Sequence, residues 1–159
     1  MDLPGLRLIL CLLLGAALLP AGLAPALGGP LADWRWQARL LLVFAPDATH
    51  PDLLRQRELV AGAAAGARER ELLVIEVAGD EVTPAPGGTA PAAADLRRHF
   101  SVPATDFAVL LVGKDGGVKQ RAQSALEACA LFARIDLMPM RRRESGGSGG
   151  ACPEQATAD

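Results

Sequence analysis

The stretch from Phe107 to Arg121 constrains this chain more than any other. It opens with an unbroken apolar run, Phe107-Ala-Val-Leu-Leu-Val112, breaks at Gly113-Lys-Asp-Gly-Gly117, and resumes with Val118 and the basic exit Lys119-Gln-Arg121. Asp-Gly between two strand-like runs signals a hairpin, because glycine accepts the positive φ that tight turns need. The first run lacks apolar–polar alternation, so it reads as a central strand covered on both faces.

The remaining elements follow from the same patterns. Leu31-Ala-Asp-Trp-Arg-Trp36 leads in; tryptophans two apart share a face of an extended segment and read as cover for one edge of the core. Arg39-Leu-Leu-Leu-Val-Phe-Ala45 is a second buried run, ended by Pro46. Leu53 to Ala65 has Leu53, Val60 and Ala64 at near-helical spacing with Arg, Gln and Glu opposite, and Thr49-x-x-Asp52 resembles a capping box with Pro51 in the first turn. Glu71 to Val77 reads as another strand, and the Pro- and Gly-rich Gly79–Pro91 as an exposed loop. Ala92 to Phe100 reads as a short helix with His99 near its C-terminus, where a cation is favourable. After the hairpin, Ser124-x-x-Glu127 resembles a second capping box. It opens a helix with Leu126, Cys129, Ala130 and Ala133 on one face.

The order is β-α-β-α-β-β-α. Helices between strands imply parallel pairing, and the Asp-Gly turn makes the last pair antiparallel. This is the arrangement of an α/β, thioredoxin-like three-layer sandwich: a mixed sheet with a C-terminal antiparallel hairpin and helices on both faces.

Length and composition set the frame. The chain has 159 residues, enough for one ordinary domain, and half of them are apolar. Much of the apolar excess lies in the first thirty residues. Arg7 precedes the run Leu8 to Leu19, which is short for a bilayer span and is followed by Pro20, Gly22 and the small residues of Ala24-Pro25-Ala26. Residues 1–26 therefore read as a secretory signal peptide. That predicts an exported, periplasmic or secreted chain with no transmembrane segment after cleavage. Abundant alanine points to a GC-rich bacterial coding sequence. The folded domain is placed at 31–144, and the Gly/Ser-rich 145–159 reads as a disordered tail. A net charge of −2 gives no global pull toward nucleic acid. Export leaves Cys129 and Cys152. There is no CxxC and no zinc-ligand spacing, so no cofactor is expected.

Three blocks resemble the domain of unknown function 4174 family: Trp36-x-x-Arg39 to Pro46; Leu111-Val-Gly-Lys-Asp-Gly-Gly-Val-Lys119 with Arg121; and Ile135-Asp-x-Met-Pro-Met-Arg141. The family is similar to domains of animal sushi-repeat and coiled-coil matrix proteins and is regarded as a distant relative of the peroxiredoxins. The resemblance spans roughly Trp34 to Glu144. It implies the thioredoxin-like fold and an extracytoplasmic setting, and supplies no established reaction. Its polar members here are Lys114, Asp115, Arg121 and Arg141. The first two lie in the turn, read as exposed; Arg121 is a candidate partner for a carboxylate; and Arg141 heads a basic run read as a solvated exit.

In peroxiredoxins the loop after the first strand carries Pro-x-x-x-Thr-x-x-Cys, and the cysteine opens a helix whose N-terminus stabilises the thiolate. The nearest match is Pro46-x-x-Thr49-x-x-Asp52, with Asp52 in the place of the cysteine. A carboxylate cannot replace that nucleophile. The reading is a binding or interaction module for an unknown protein or small molecule, with no catalytic residue assigned. Two alternatives stay open: a thiol oxidoreductase or peroxidase using Cys129 or Cys152, and divalent-metal binding at Asp47, His50 and Asp52. Against the first, Cys129 reads as a small buried hydrophobe. Met138 and Met140 lack a third soft ligand for copper(I). Pro103 reads as a loop proline near the place where such folds often carry a cis-proline.

Overall fold

The computed structural model describes residues 29–146. The expected signal peptide and nearly all of the expected tail, with Cys11 and Cys152, lie outside them. The apolar runs form β1 (Arg39–Ala45), β2 (Leu72–Ala78) and β4 (Ala108–Val112). A short edge strand β3 (Glu81–Thr83) and the hairpin partner β5 (Val118–Ala122) complete a five-stranded sheet of order β3-β2-β1-β4-β5. β1 runs parallel to β2 and antiparallel to β4, while β2–β3 and β4–β5 are antiparallel.

β1 and β4 are buried along their whole length. Their side chains alternate between two cores, as the pleat requires. Leu40, Leu42 and Phe44 join Ala108, Leu110 and Val112 beneath α3 (Ala93–Phe100), with Leu96, Phe100 and Trp34. Leu41, Val43 and Ala45 join Val109 and Leu111 on the other face. That face is covered by α1 (Pro51–Gly62), α2 (Ala64–Glu69) and α4 (Ala128–Asp136), through Leu53, Ala63, Ala67, Leu131, Phe132 and Ile135. The missing alternation in both runs thus has its physical reason: neither strand has a solvent face.

The hairpin turn is a five-residue loop between the pair Val112 and Val118, with a bulge at Leu111/Val112. Gly113 and Gly117 close it by an N–H to O bond of 2.9 Å, and Gly116 takes φ +82°, which an L side chain would resist.

Several expectations need correction. β4 pairs antiparallel with β1 although a helix precedes it, because the connection through α3 crosses from the β2 side of β1 to the other side and returns the chain reversed. The helix expected over Leu53–Ala65 is two helices, broken at Ala63. Gln56, assigned to the polar face, is buried and holds the Leu126 backbone at both its carbonyl and its N–H, at 3.2 and 2.7 Å. The tryptophans do not share a face: Trp34 ends a 3₁₀ turn and is buried, its Nε1 donating to Pro86 O at 2.9 Å, whereas Trp36 is 58% exposed. Neither capping box forms; the caps are His50 and Glu127, without side-chain cap bonds. α4 buries Leu131, Phe132 and Ile135, one register away from the expected face. A helix α5 (Pro139–Glu144) replaces the expected exit. The Val102–Pro103 peptide is trans.

Candidate functional site

The two ends of β1 differ in chemistry. At its C-terminal end lies the loop of residues 46–50 that leads into α1. Asp47 folds that loop on itself: its Oδ1 accepts from Thr49 N–H at 2.8 Å and from the Thr49 hydroxyl at 2.6 Å. Those two bonds hold the Asp47 carboxyl below its ordinary value, with a smaller contribution from His50. Thr49 therefore serves a local turn and not a helix cap. His50 stacks on Phe107, ring centroids 5.3 Å apart and ring planes nearly parallel. Asp52 sits in the first turn of α1, where a carboxylate complements the helix dipole. Among the described residues no group of three His, Cys, Asp or Glu is placed to hold a metal ion. Beneath the loop, Arg97 of α3 donates to Ala45 O at 2.7 Å and to Pro103 O at 2.9 Å, and its guanidinium lies 5.6 Å from the Phe44 ring. Burial pulls Arg97 below its ordinary value, against the pull of Asp80 and Asp106. The strand end is tied down by a cation that the sequence reading left unremarked.

Cys129 lies in the first turn of α4, half-buried, and is disulfide-bonded. Its partner lies outside the described residues. This corrects the expectation of an inert buried thiol.

The opposite end, about 20 Å away along a strand of this length, is built from charges. Arg39 and Arg70 are 1% exposed, Lys114 9% and Arg141 6%. Arg39 donates to Arg70 O at 2.8 Å and to Glu144 at 2.9 Å. Arg70 forks onto Asp136 at 3.0 and 2.7 Å and lies 4.5 Å over the Phe132 ring. Lys114 bonds Glu71 and, at 2.8 Å, Glu144. Arg141 bonds Asp136 at 3.2 Å, the Glu69 carbonyl at 3.0 Å and the Glu69 carboxylate. Four cations meet four carboxylates, so the cluster is neutral. Burial pushes Lys114 down, but its bonds to Glu144 and Glu71 prevail and raise it. Burial likewise pushes Asp136 and Glu144 up, and their bonds to Arg70 and Arg141, and to Lys114 and Arg39, bring them below ordinary values.

Three sequence expectations are overturned here. Lys114 is no exposed turn residue and Arg141 no solvated exit; both are buried because carboxylates on neighbouring elements compensate them. Arg121 reaches the Phe100 carbonyl and not a carboxylate, and Asp115 pairs with Lys119 at 2.6 Å across the turn. Of the most deeply buried charges, Arg70 was not singled out in the sequence, and Arg39 stood there only as the head of a strand run and family block, with no role assigned. A charge at the margin of an unbroken apolar run was the available signal.

Beside this cluster opens a cleft of about 570 Å³, between the start of β1, the β4–β5 turn, α4 and α5. Trp36, Lys114, Met138 and Met140, drawn from all three sequence blocks, line it.

Residues 30–144 match the family described as Domain of unknown function (DUF4174). The chain belongs to this family. A curated relative, the Danio rerio coiled-coil domain-containing protein 80, is 28% identical over 145 residues, a match covering 78% of this chain and 17% of the relative. This chain therefore spans a small part of that relative's length. Among solved structures, the Plasmodium yoelii thioredoxin peroxidase I is similar with a TM-score of 0.51 at 19% identity, covering 77% of this chain and 83% of that one. At that identity the likeness speaks for the fold alone, and the DUF4174 domain is a thioredoxin-like α/β sandwich related in shape to the peroxiredoxins.

Proposed function

We propose that this DUF4174 domain is exported and works by binding, without the thiol chemistry of its structural relatives. The observation that carries the reading is the loop after β1. Asp52 stands in the first turn of α1, Asp47 and Thr49 satisfy one another, and the described cysteine, Cys129, is locked in a disulfide on α4. A peroxidatic site needs a thiolate at a helix N-terminus facing that loop. Export is supported by the apolar leader ahead of Ala24-Pro25-Ala26 and by a disulfide, which persists in oxidising compartments.

A coupled assay with hydrogen peroxide and either thioredoxin or glutathione as reductant tests the reading. The expected result is turnover no faster than a heat-denatured control. Robust turnover abolished by Cys129→Ser would overturn it in favour of a thiol peroxidase. Export is checked separately: N-terminal sequencing of the protein recovered from the periplasm or medium is expected to begin at Leu27.

A further inference from the structure

We propose that the cleft beside the buried charge cluster binds a small amphipathic carboxylate, an anionic head on an apolar body. This deepens the binding reading above and rests on it. The volume, about 570 Å³, lies in the range of small-ligand sites, roughly 300–1,000 Å³.

The two walls differ in chemistry. One is apolar: Trp36, Leu137, Met138 and Met140. Trp36 is 58% exposed and Leu137 69%, so the fold leaves two of its large hydrophobic side chains in water at one place. The methionines are flexible and polarisable and adapt to an irregular apolar guest. The other wall is basic. Lys114 and Lys119 are answered by Glu71, Glu144 and Asp115, whereas Arg134 and Arg143 have no ion-pair partner among the described residues. Arg134 is nonetheless held in place, donating twice to Lys119 O at 3.3 and 3.1 Å. Its orientation is set while its charge is uncompensated. A carboxylate is the group this wall complements.

Backbone geometry singles out the same spot. Trp36 has φ +67°, a conformation that a bulky side chain adopts only when its surroundings enforce it. Its N–H donates to Lys114 O at 2.7 Å, and the Arg35 guanidinium lies 5.4 Å from its ring. The hydrogen bond to the turn holds the Trp36 backbone at the cleft, and its indole stands exposed there while Trp34 enters the core. An exposed aromatic face next to the held Arg134 guanidinium suits an anion with an apolar tail.

Calorimetric titration of the full chain with decanoate, decanol and vesicles of phosphatidylcholine and phosphatidylglycerol tests the proposal. Tryptophan fluorescence is followed in parallel. Decanoate is expected to bind with unit stoichiometry and to change the emission, with Trp36→Phe abolishing the optical change because Trp34 is buried. Decanol is expected to bind at least about tenfold more weakly, since it lacks the charge-assisted bonds. Arg143→Gln, at an exposed position whose thermal unfolding should be unchanged, and Arg134→Gln, which also gives up two bonds to Lys119 O and is compared at a temperature well below its own unfolding, are each expected to weaken decanoate about five- to tenfold and leave decanol unaffected. Arg143→Lys should recover part of the loss. The proposal is overturned if decanoate does not bind at millimolar concentration, if decanol binds equally well, if both arginine variants bind as the parent does, or if only vesicles bind. Peroxide turnover together with intact decanoate binding would sink the non-catalytic reading and leave this cleft standing.

Discussion

At the scale of single residues, the buried charges decide how this domain responds to pH. Asp136 and Glu144 lie below their ordinary values of 3.8 and 4.5. A carboxylate depressed on folding contributes stability that is present above its unfolded value and is lost as pH falls through the folded value. The urea midpoint is therefore expected to be flat from neutral pH down to about 5 and to fall steeply below about 4.5. Exposed Asp47 and Asp115, also depressed, add to the same slope. Glu144→Gln should cost about 2 kcal/mol at pH 7, because Arg39 and Lys114 each lose a charged partner, and should make the acid limb shallower. An unchanged acid limb in that variant would show that the cluster does not govern acid sensitivity. None of this pairing was legible in sequence. Lys114 and Arg141 were picked out there, but their carboxylates come from Glu71, Glu144, Glu69 and Asp136, and no local spacing announces partners that the tertiary fold brings together.

At the scale of elements, long apolar runs were readable and short or broken elements were not. β1, β2, α3 and the β4–β5 hairpin stand close to their expected places because each carries its own signal. β3 has three residues and α5 six, too few for a pattern, and isolated helices of that length are not stable in water. α5 exists because Arg141 and Glu144 anchor it to the cluster. Packing against α4 also constrains α2. Gly66 of α2 faces Phe132, and an added Cβ there would sit 2.5 Å from that ring. Phe132 has little room to yield, with Arg70 over one face and only 2% exposure. Gly66→Ala is therefore expected to destabilise by about 1–2 kcal/mol, from overpacking, although alanine is the better helix former. A stabilised variant in urea unfolding would mean that α2 is free to shift away from α4.

At the scale of the whole molecule, the thioredoxin-like fold of this DUF4174 domain rests on a sheet that is buried on both sides. Leu41 and Leu42 are both fully buried but belong to different cores. Leu41→Ala and Leu42→Ala are each expected to cost about 2–5 kcal/mol. In a sheet with one solvated face, one of the pair would be nearly neutral, so a large difference in urea midpoint between them would contradict the three-layer architecture. The double-sided sheet also separates the two ends of β1. The C-terminal end is tied down by Arg97 and by the Asp47–Thr49 turn. The other end carries the cleft and the strained Trp36.

The strand runs, the hairpin, the family and the absence of a cysteine from the loop after β1 are legible in the order of residues alone. Hydrophobic pattern, turn chemistry and residue identity are local properties, and they survive any arrangement of the rest. Tertiary structure alone decided that β4 would run antiparallel to β1 and that four cations would be buried at one end of the sheet. It alone brought Trp36, the β4–β5 turn and the α4–α5 junction around one cleft. These depend on contacts between residues far apart in the chain. A buried charge is tolerated only where its partner arrives with it.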